Sequence, residues 1–98
     1  MPLLKNVLNK IKNLDNNKVN KTIIPTNEDV NNLKTTGFAY VNGGANNLPV
    51  NGYSFYLIII ARNDNYVLQQ ATQIVSSGTF KVFYRQCYNG TWGAWQEV

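Results

Sequence analysis

Asn89-Gly90 is the dipeptide that most restricts this chain, because it separates two runs of alternating side chains and both residues readily take positive φ. A two-residue type I′ turn there sets Tyr88 opposite Thr91 and fixes the register outward from that pair. One face of the hairpin then carries Phe80, Val82, Tyr84, Gln86 and Tyr88 with Thr91, Gly93, Trp95 and Glu97. The other carries Lys81, Phe83, Arg85 and Cys87 with Trp92, Ala94, Gln96 and Val98. Tyr84 and Trp95 become direct partners, with Gly93 leaving room for the indole, so Trp95 is expected in the core. Trp92 falls opposite Cys87 and diagonal to Arg85, on a face that mixes charge with apolar groups. An indole beside a guanidinium there serves either structure alone, as a cation–π contact, or a ligand, as a ledge.

The period of two continues upstream, which is the signature of strands. Gly37-Phe38-Ala39-Tyr40-Val41 is the first, ended by Asn42-Gly43-Gly44 and a loop of turn formers reaching Gly52. Residues 53–62 make the longest and most apolar strand, expected to be central and buried on both faces. Asn63-Asp64-Asn65 turns the chain into a strand at 66–75, Ser76-Ser77-Gly78 into one at 79–88, and the hairpin into the last at 91–98. The fold class predicted is mainly β: a five-stranded antiparallel meander, either a small β-sandwich or a single sheet. Ahead of it, Thr26 or Asn27 is expected to cap a short helical turn opened by Glu28 and Asp29, with Val30 and Leu33 facing the core.

The opening residues have a different period. Leu4 and Ile11 at heptad position a, with Val7 and Leu14 at d, make two heptads before Lys18 and Lys21 end the seam. Two heptads are too short for a coiled coil unaided, leaving an amphipathic helix on its own domain or a short oligomeric stem. The chain therefore divides into a helical stem over 1–25, in the second case a trimeric coiled coil, and an antiparallel β domain over 26–98.

A length of 98 residues suits one domain whose core, made by one copy alone, is only modestly stabilising, so oligomerisation enters the expectations. The net charge of +4 comes entirely from residues 1–25, where five lysines face Asp15. The β region is neutral and has no basic stripe, so no nucleic-acid partner is expected. Histidine is absent and Cys87 is the only cysteine, which removes the commonest general base, an intrachain disulfide and any thiolate cluster. The five carboxylates lie in no catalytic motif. Hence no catalytic, cofactor-binding or metal-ligating residues are expected, and no enzyme. Residues 56–61 are too short an apolar run to span a bilayer, so no membrane insertion is expected. The first residues lack the features of a signal peptide, so the chain is expected to be made in the cytoplasm without one.

The segment Asp29-Val30-Asn31-Asn32-Leu33-Lys34-Thr35-Thr36-Gly37-Phe38-Ala39-Tyr40-Val41 resembles the start of the pyocin-knob domain. There an Asp-Leu-Asn-x-Leu-like turn leads into Thr-x-Gly-Phe-Tyr and a strand. The ending, with Arg85 on its strand followed by Asn89-Gly90-Thr91-Trp92-Gly93-Ala94-Trp95, is similar to that domain's end, and Gln69 to Ile74 also fits. The resemblance covers residues 27–98; Ala39 departs from it, where the family often has an aromatic. It implies a module of phage tail fibres, receptor-binding proteins and fibre-like bacteriocins, carried on trimeric fibres and taking part in host attachment. The expectation that follows is a non-catalytic, phage, prophage or bacteriocin receptor-binding fragment located in the virion tail. Its implied partners are two further copies in a homotrimer, other tail proteins and bacterial cell-surface polysaccharide. On that view Leu4, Val7, Ile11 and Leu14 are the trimer stem. Sugars are gripped by stacking and by directed polar contacts, which makes Trp92, Tyr88, Tyr66, Asn46, Asn47 and Asn51 the candidate saccharide-binding residues. One alternative is a purely structural knob that trimerises and caps a fibre, burying Trp92, Phe83 and Val98 between copies. Another is a carbohydrate-binding module of a secreted protein.

Overall fold

A computed structural model describes residues 4–7, 20–24 and 28–98 of the chain. Strands β1 (Asn20–Ile24), β2 (Gly37–Val41), β3 (Phe55–Asn63), β4 (Tyr66–Gln73), β5 (Val82–Tyr88) and β6 (Thr91–Trp92) lie in that order in a single sheet, and β7 (Gln96–Glu97) also pairs with β5. From β2 onward every pairing is antiparallel, which is the expected meander as one sheet rather than a sandwich. An edge strand is added to it. β1 runs parallel to β2, with Asn20 opposite Gly37 and Ile24 opposite Val41, inside the segment that the sequence assigns to the stem. The twelve residues between β1 and β2 give the long connection that a parallel neighbour needs. Residues 4–7 are helical, with Leu4 and Val7 exposed; Ile11 and Leu14 lie outside the described residues.

Alternation along each strand separates two faces. Inward point Ala39 and Val41, Phe55, Leu57 and Ile59, Val67 and Ala71, Phe83 and Cys87, all buried. Val30 and, from the loop between β2 and β3, Ala45 and Leu48 close over them and complete one core. Phe55 and Phe83 meet edge-on at 6.1 Å between centroids, an arrangement that aromatic quadrupoles favour. Phe83 therefore belongs to the chain's own core rather than to the interface that a capping knob was expected to make from it, whereas Val98 is exposed and open to such a contact.

The outward face corrects a second expectation. β3 is not buried on both faces: Tyr56, Ile58 and Ile60 alternate with its core residues and stand exposed. A continuous apolar run does not tell a two-sided strand from a one-sided one whose second face meets another surface. In register beside them lie Phe38 opposite Ile58, Tyr40 opposite Tyr56, and Ile60 opposite Leu68, so the apolar residues form adjoining rows.

Val30–Asn32 form the expected helical turn, as a single 3-10 turn, with Val30 fully buried and Leu33 packed against the core. Its cap is Asp29 rather than Thr26 or Asn27, which lie outside the described residues; Asp29 Oδ1 accepts from the Asn31 N–H at 2.8 Å. The same oxygen accepts from Asn47 Nδ2 at 2.8 Å, and the Val30 N–H donates to the Asn46 carbonyl at 3.2 Å. Turn and loop are thus tied into one cover over the inner face.

At the hairpin, Asn89 and Gly90 have φ of 51° and 85°, and Cys87 pairs with Trp92 and Tyr88 with Thr91, as the dipeptide predicts. Two steps further the register slips. Tyr84 pairs with Gln96 rather than Trp95, and Phe83 with Glu97. Two residues separate Cys87 from Tyr84 while three separate Trp92 from Gln96, so the returning strand carries one residue too many and bulges over residues 93–95. A bulge reverses the side to which the next residue points. Trp95 accordingly leaves Tyr84 and joins Trp92 beside Arg85 on the inner side, half-buried at the edge of the core.

Candidate functional site

β5 places Phe83, Arg85 and Cys87 on the buried side in turn, which carries a cation to the edge of the core with only 5% of its surface exposed. Three contacts hold it. The Arg85 Nε donates to Gln69 Oε1 at 3.0 Å, and its guanidinium carbon lies 4.0 Å from the Trp92 ring centroid and 4.4 Å from that of Trp95. Each ring face offers electron density to the cation, an attraction that strengthens as water is removed. Burial pushes the Arg85 pKa down from the usual arginine range to about 10, opposed by the negative charge of Asp29 and by Cys87. It therefore stays protonated at neutral pH.

Gln69, fully buried, is the hub behind it. Its Nε2 donates to the carbonyls of Val30 and Leu33, each at 2.9 Å, while its Oε1 receives Arg85. The indoles are anchored in the same manner: Trp92 Nε1 donates to the Asn31 carbonyl at 3.2 Å and Trp95 Nε1 to the Asn47 carbonyl at 2.8 Å. Three stretches distant in sequence, the 3-10 turn, the loop between β2 and β3, and the bulged hairpin, are joined around one cation.

Between them opens a cleft of about 380 Å³, lined by Arg85, Trp92 and Trp95, by Asn31 and Asn47, and by the small residues of the bulge. Two buried polar atoms of its lining residues, Arg85 Nη2 and Asn31 Oδ1, have no hydrogen-bond partner. Most buried polar groups are paired, so an unpaired donor and an unpaired acceptor in side chains that line one cleft are unusual, and both atoms are sealed from the space above them. Among the described residues, no group of acidic, histidine or cysteine side chains is arranged to hold a metal ion.

The role of Arg85 is separable by two substitutions. Arg85→Met fills the space beside the indoles without a charge to desolvate and is expected to stay within about 2 kcal/mol of wild type. Arg85→Ala leaves a gap there and is expected to cost about 3 kcal/mol or more. Urea unfolding followed by tryptophan fluorescence compares them; equal losses would mean that the charge, not the filling, holds the rings.

The residues predicted for saccharide contact are divided by the fold. Trp92 and Asn47 line the cleft. Asn46 and Asn51 lie exposed in the same loop but do not line it. Tyr66 and Tyr88 are on the outer face of the sheet, paired edge-on at 5.5 Å, with Arg62 5.7 Å from the Tyr66 ring. The cation–π contact of Trp92 with Arg85 is present as the register implied, whereas Asn31, Gln69 and Trp95 escaped the sequence. An arginine at an inward strand position within reach of two tryptophans three residues apart is the signal that points to them.

No family model matches the chain, and no curated protein matches it. Solved structures similar to it include a selenomethionine structure of an N-truncated R2-type pyocin tail fibre, 16% identical with a TM-score of 0.67. The P. aeruginosa R1 pyocin fibre, in a structure of its C-terminal part, is 23% identical with a TM-score of 0.64. Each likeness covers 79% of this chain but only 31% and 21% of those chains, so this chain spans less than a third of either. The fold is that of a segment of these fibres, as the resemblance of residues 27–98 to the pyocin-knob domain implies.

Proposed function

We propose that this chain is a fragment of a phage, prophage or bacteriocin tail fibre that aids attachment to host cell-surface polysaccharide and catalyses no reaction. The observation that carries this reading is the fold, shared with the R2-type and R1 pyocin fibres over 79% of the chain. The site chemistry agrees with it. Indole rings and asparagine amides grip hydroxylated rings by stacking and directed hydrogen bonds, and Trp92 and Asn47 supply them at the cleft. On this reading the chain works in the tail of the particle, beside other tail proteins. Titrating host-envelope polysaccharide against tryptophan fluorescence is expected to give a saturable shift, and Trp92→Ala is expected to reduce adsorption of the particle. An unshifted spectrum together with intact adsorption of the variant would remove direct recognition.

A second reading, an assembling knob within a homotrimer, is favoured by the outer face. Phe38, Tyr56, Ile58, Ile60, Leu68 and Tyr84 stand exposed there on neighbouring strands, and contiguous apolar surface on that scale marks a contact with another protein. The two readings use opposite faces of one sheet and are compatible in a fibre.

A further inference from the structure

We propose that the outer face of the sheet is covered by the N-terminal helix of a neighbouring copy; this rests on the reading of the chain as an assembling knob and names what fills the contact. Two apolar surfaces stand uncovered in the single chain. On the sheet, Phe38, Tyr56, Ile58, Ile60 and Leu68 are each 41 to 59% exposed on the adjoining strands β2, β3 and β4. On the helix, Leu4 and Val7 are 59% and 45% exposed, three residues apart and so on one side of it. Neither surface covers the other within one chain, so both are left for another copy to bury.

The two surfaces agree in size and in chemistry. In the sequence the helical spacing of Leu4 and Val7 continues through Leu8, Ile11 and Leu14, and a helix carries Leu4 and Leu14 about 15 Å apart along its axis. Tyr56, Ile58 and Ile60 follow one another along β3 over about 13 Å. A helix about 10 Å across spans roughly three strands, and the exposed apolar residues lie on three, β2, β3 and β4. The patch has no charge to desolvate, since Gln70 and Thr72 complete the outward side of β4 beyond Leu68. Lys5, Lys10 and Lys12 fall off the apolar stripe and keep to water. Two heptads are too short to hold helices against one another, whereas the sheet offers them a surface already built. A helix laid on the next copy's sheet is a head-to-tail contact, and three such contacts close a ring of three chains.

The full chain is prepared with Val7 replaced by the photoreactive p-benzoylphenylalanine, which keeps that position apolar, and is mixed with heavy-isotope wild type and irradiated. Mass spectrometry of the digest is expected to show the light helix peptide joined to heavy peptides that carry β2 or β3. In sedimentation equilibrium Val7→Asp is expected to weaken self-association at least tenfold with an unchanged unfolding midpoint, because Val7 is exposed in the single chain. Cross-links to heavy residues 1–14 would make the helices a stem and overturn the proposal. Cross-links confined to light chains would place the helix on its own sheet and overturn it as well, as would a Val7→Asp variant that associates like wild type. If wild type is trimeric but the sheet is never cross-linked, the assembling reading stands and this assignment falls. If wild type stays monomeric at high concentration, the assembling reading itself falls and takes the assignment with it.

Discussion

Replacing Gln69 by leucine is expected to remove about 3 to 5 kcal/mol from the folded chain, because three groups lose a hydrogen bond together. The carbonyls of Val30 and Leu33 each lose a donor, and Arg85 Nε loses its acceptor. Leucine fills nearly the same space, so the loss measures hydrogen bonding rather than a cavity. Arg85 Nε and the Leu33 carbonyl are left unpaired at about 1 to 3 kcal/mol each, while the Val30 carbonyl still accepts from the Leu33 N–H at 3.1 Å and loses less. Set against a domain stability of about 5 to 15 kcal/mol, the variant stands near the limit of folding. Gln70→Leu on the same strand is the control, since Gln70 is exposed on the outer face between Ile58 and Tyr84. It is expected to change stability by no more than about 0.5 kcal/mol. Denaturant unfolding of both variants gives the comparison, and a loss below about 1 kcal/mol for Gln69→Leu would show that the cover is not held through this amide.

A charge placed on the outer face tests assembly in the same decisive way. Wild type is expected to sediment at about three times the chain mass of 11.1 kDa, and Ile58→Asp as a single folded chain. Ile58 is central, with Phe38 on one side and Gln70 on the other, so an aspartate there meets the partner's apolar surface with no water to solvate it. An unpaired charge at such a contact costs several kcal/mol, and each 1.4 kcal/mol is tenfold, so self-association is expected to weaken at least a hundredfold. In the separated chain the same residue faces water, and unfolding of the monomer changes little. Sedimentation equilibrium over a range of concentrations reads both chains. A wild type that stays monomeric at high concentration would remove the assembling reading altogether.

Much of the fold was legible because it is written in local periods. Asn89-Gly90 fixed the turn and the pairs nearest to it, and alternation located β2 to β5. What alternation does not carry is which of two apolar faces turns inward. On β5 the outward face holds Tyr84 and Tyr88 and the inward one an arginine, so hydropathy alone pointed the wrong way. The answer lay in the cover, and the cover is held by long-range bonds from Gln69 that no local pattern announces. The bulge was hidden for another reason. An extra residue is a backbone event whose trace here is the pair Gly93-Ala94, and a turn-based register carried past it assigns Trp95 to the wrong side. β1 escaped because its five residues, Asn20–Ile24, offer no turn to place them and pair in parallel across a connection. Of the site, the Trp92 contact with Arg85 followed from the hairpin, and the rest depended on the bulge and the cover.

The two indole bonds also have a consequence in time. They join residues 61 and 48 positions apart, whereas the hairpin that presents them closes over a two-residue turn. Local turns form in microseconds, while contacts of wide sequence separation wait for the chain between them to be ordered. The strands can therefore pair before the cleft exists, and during synthesis the cover, though tied to Gln69 earlier, gains both indole anchors only after Trp95 has left the ribosome. The cleft is the last part of the domain to be assembled, and a partly folded chain carries the sheet without it.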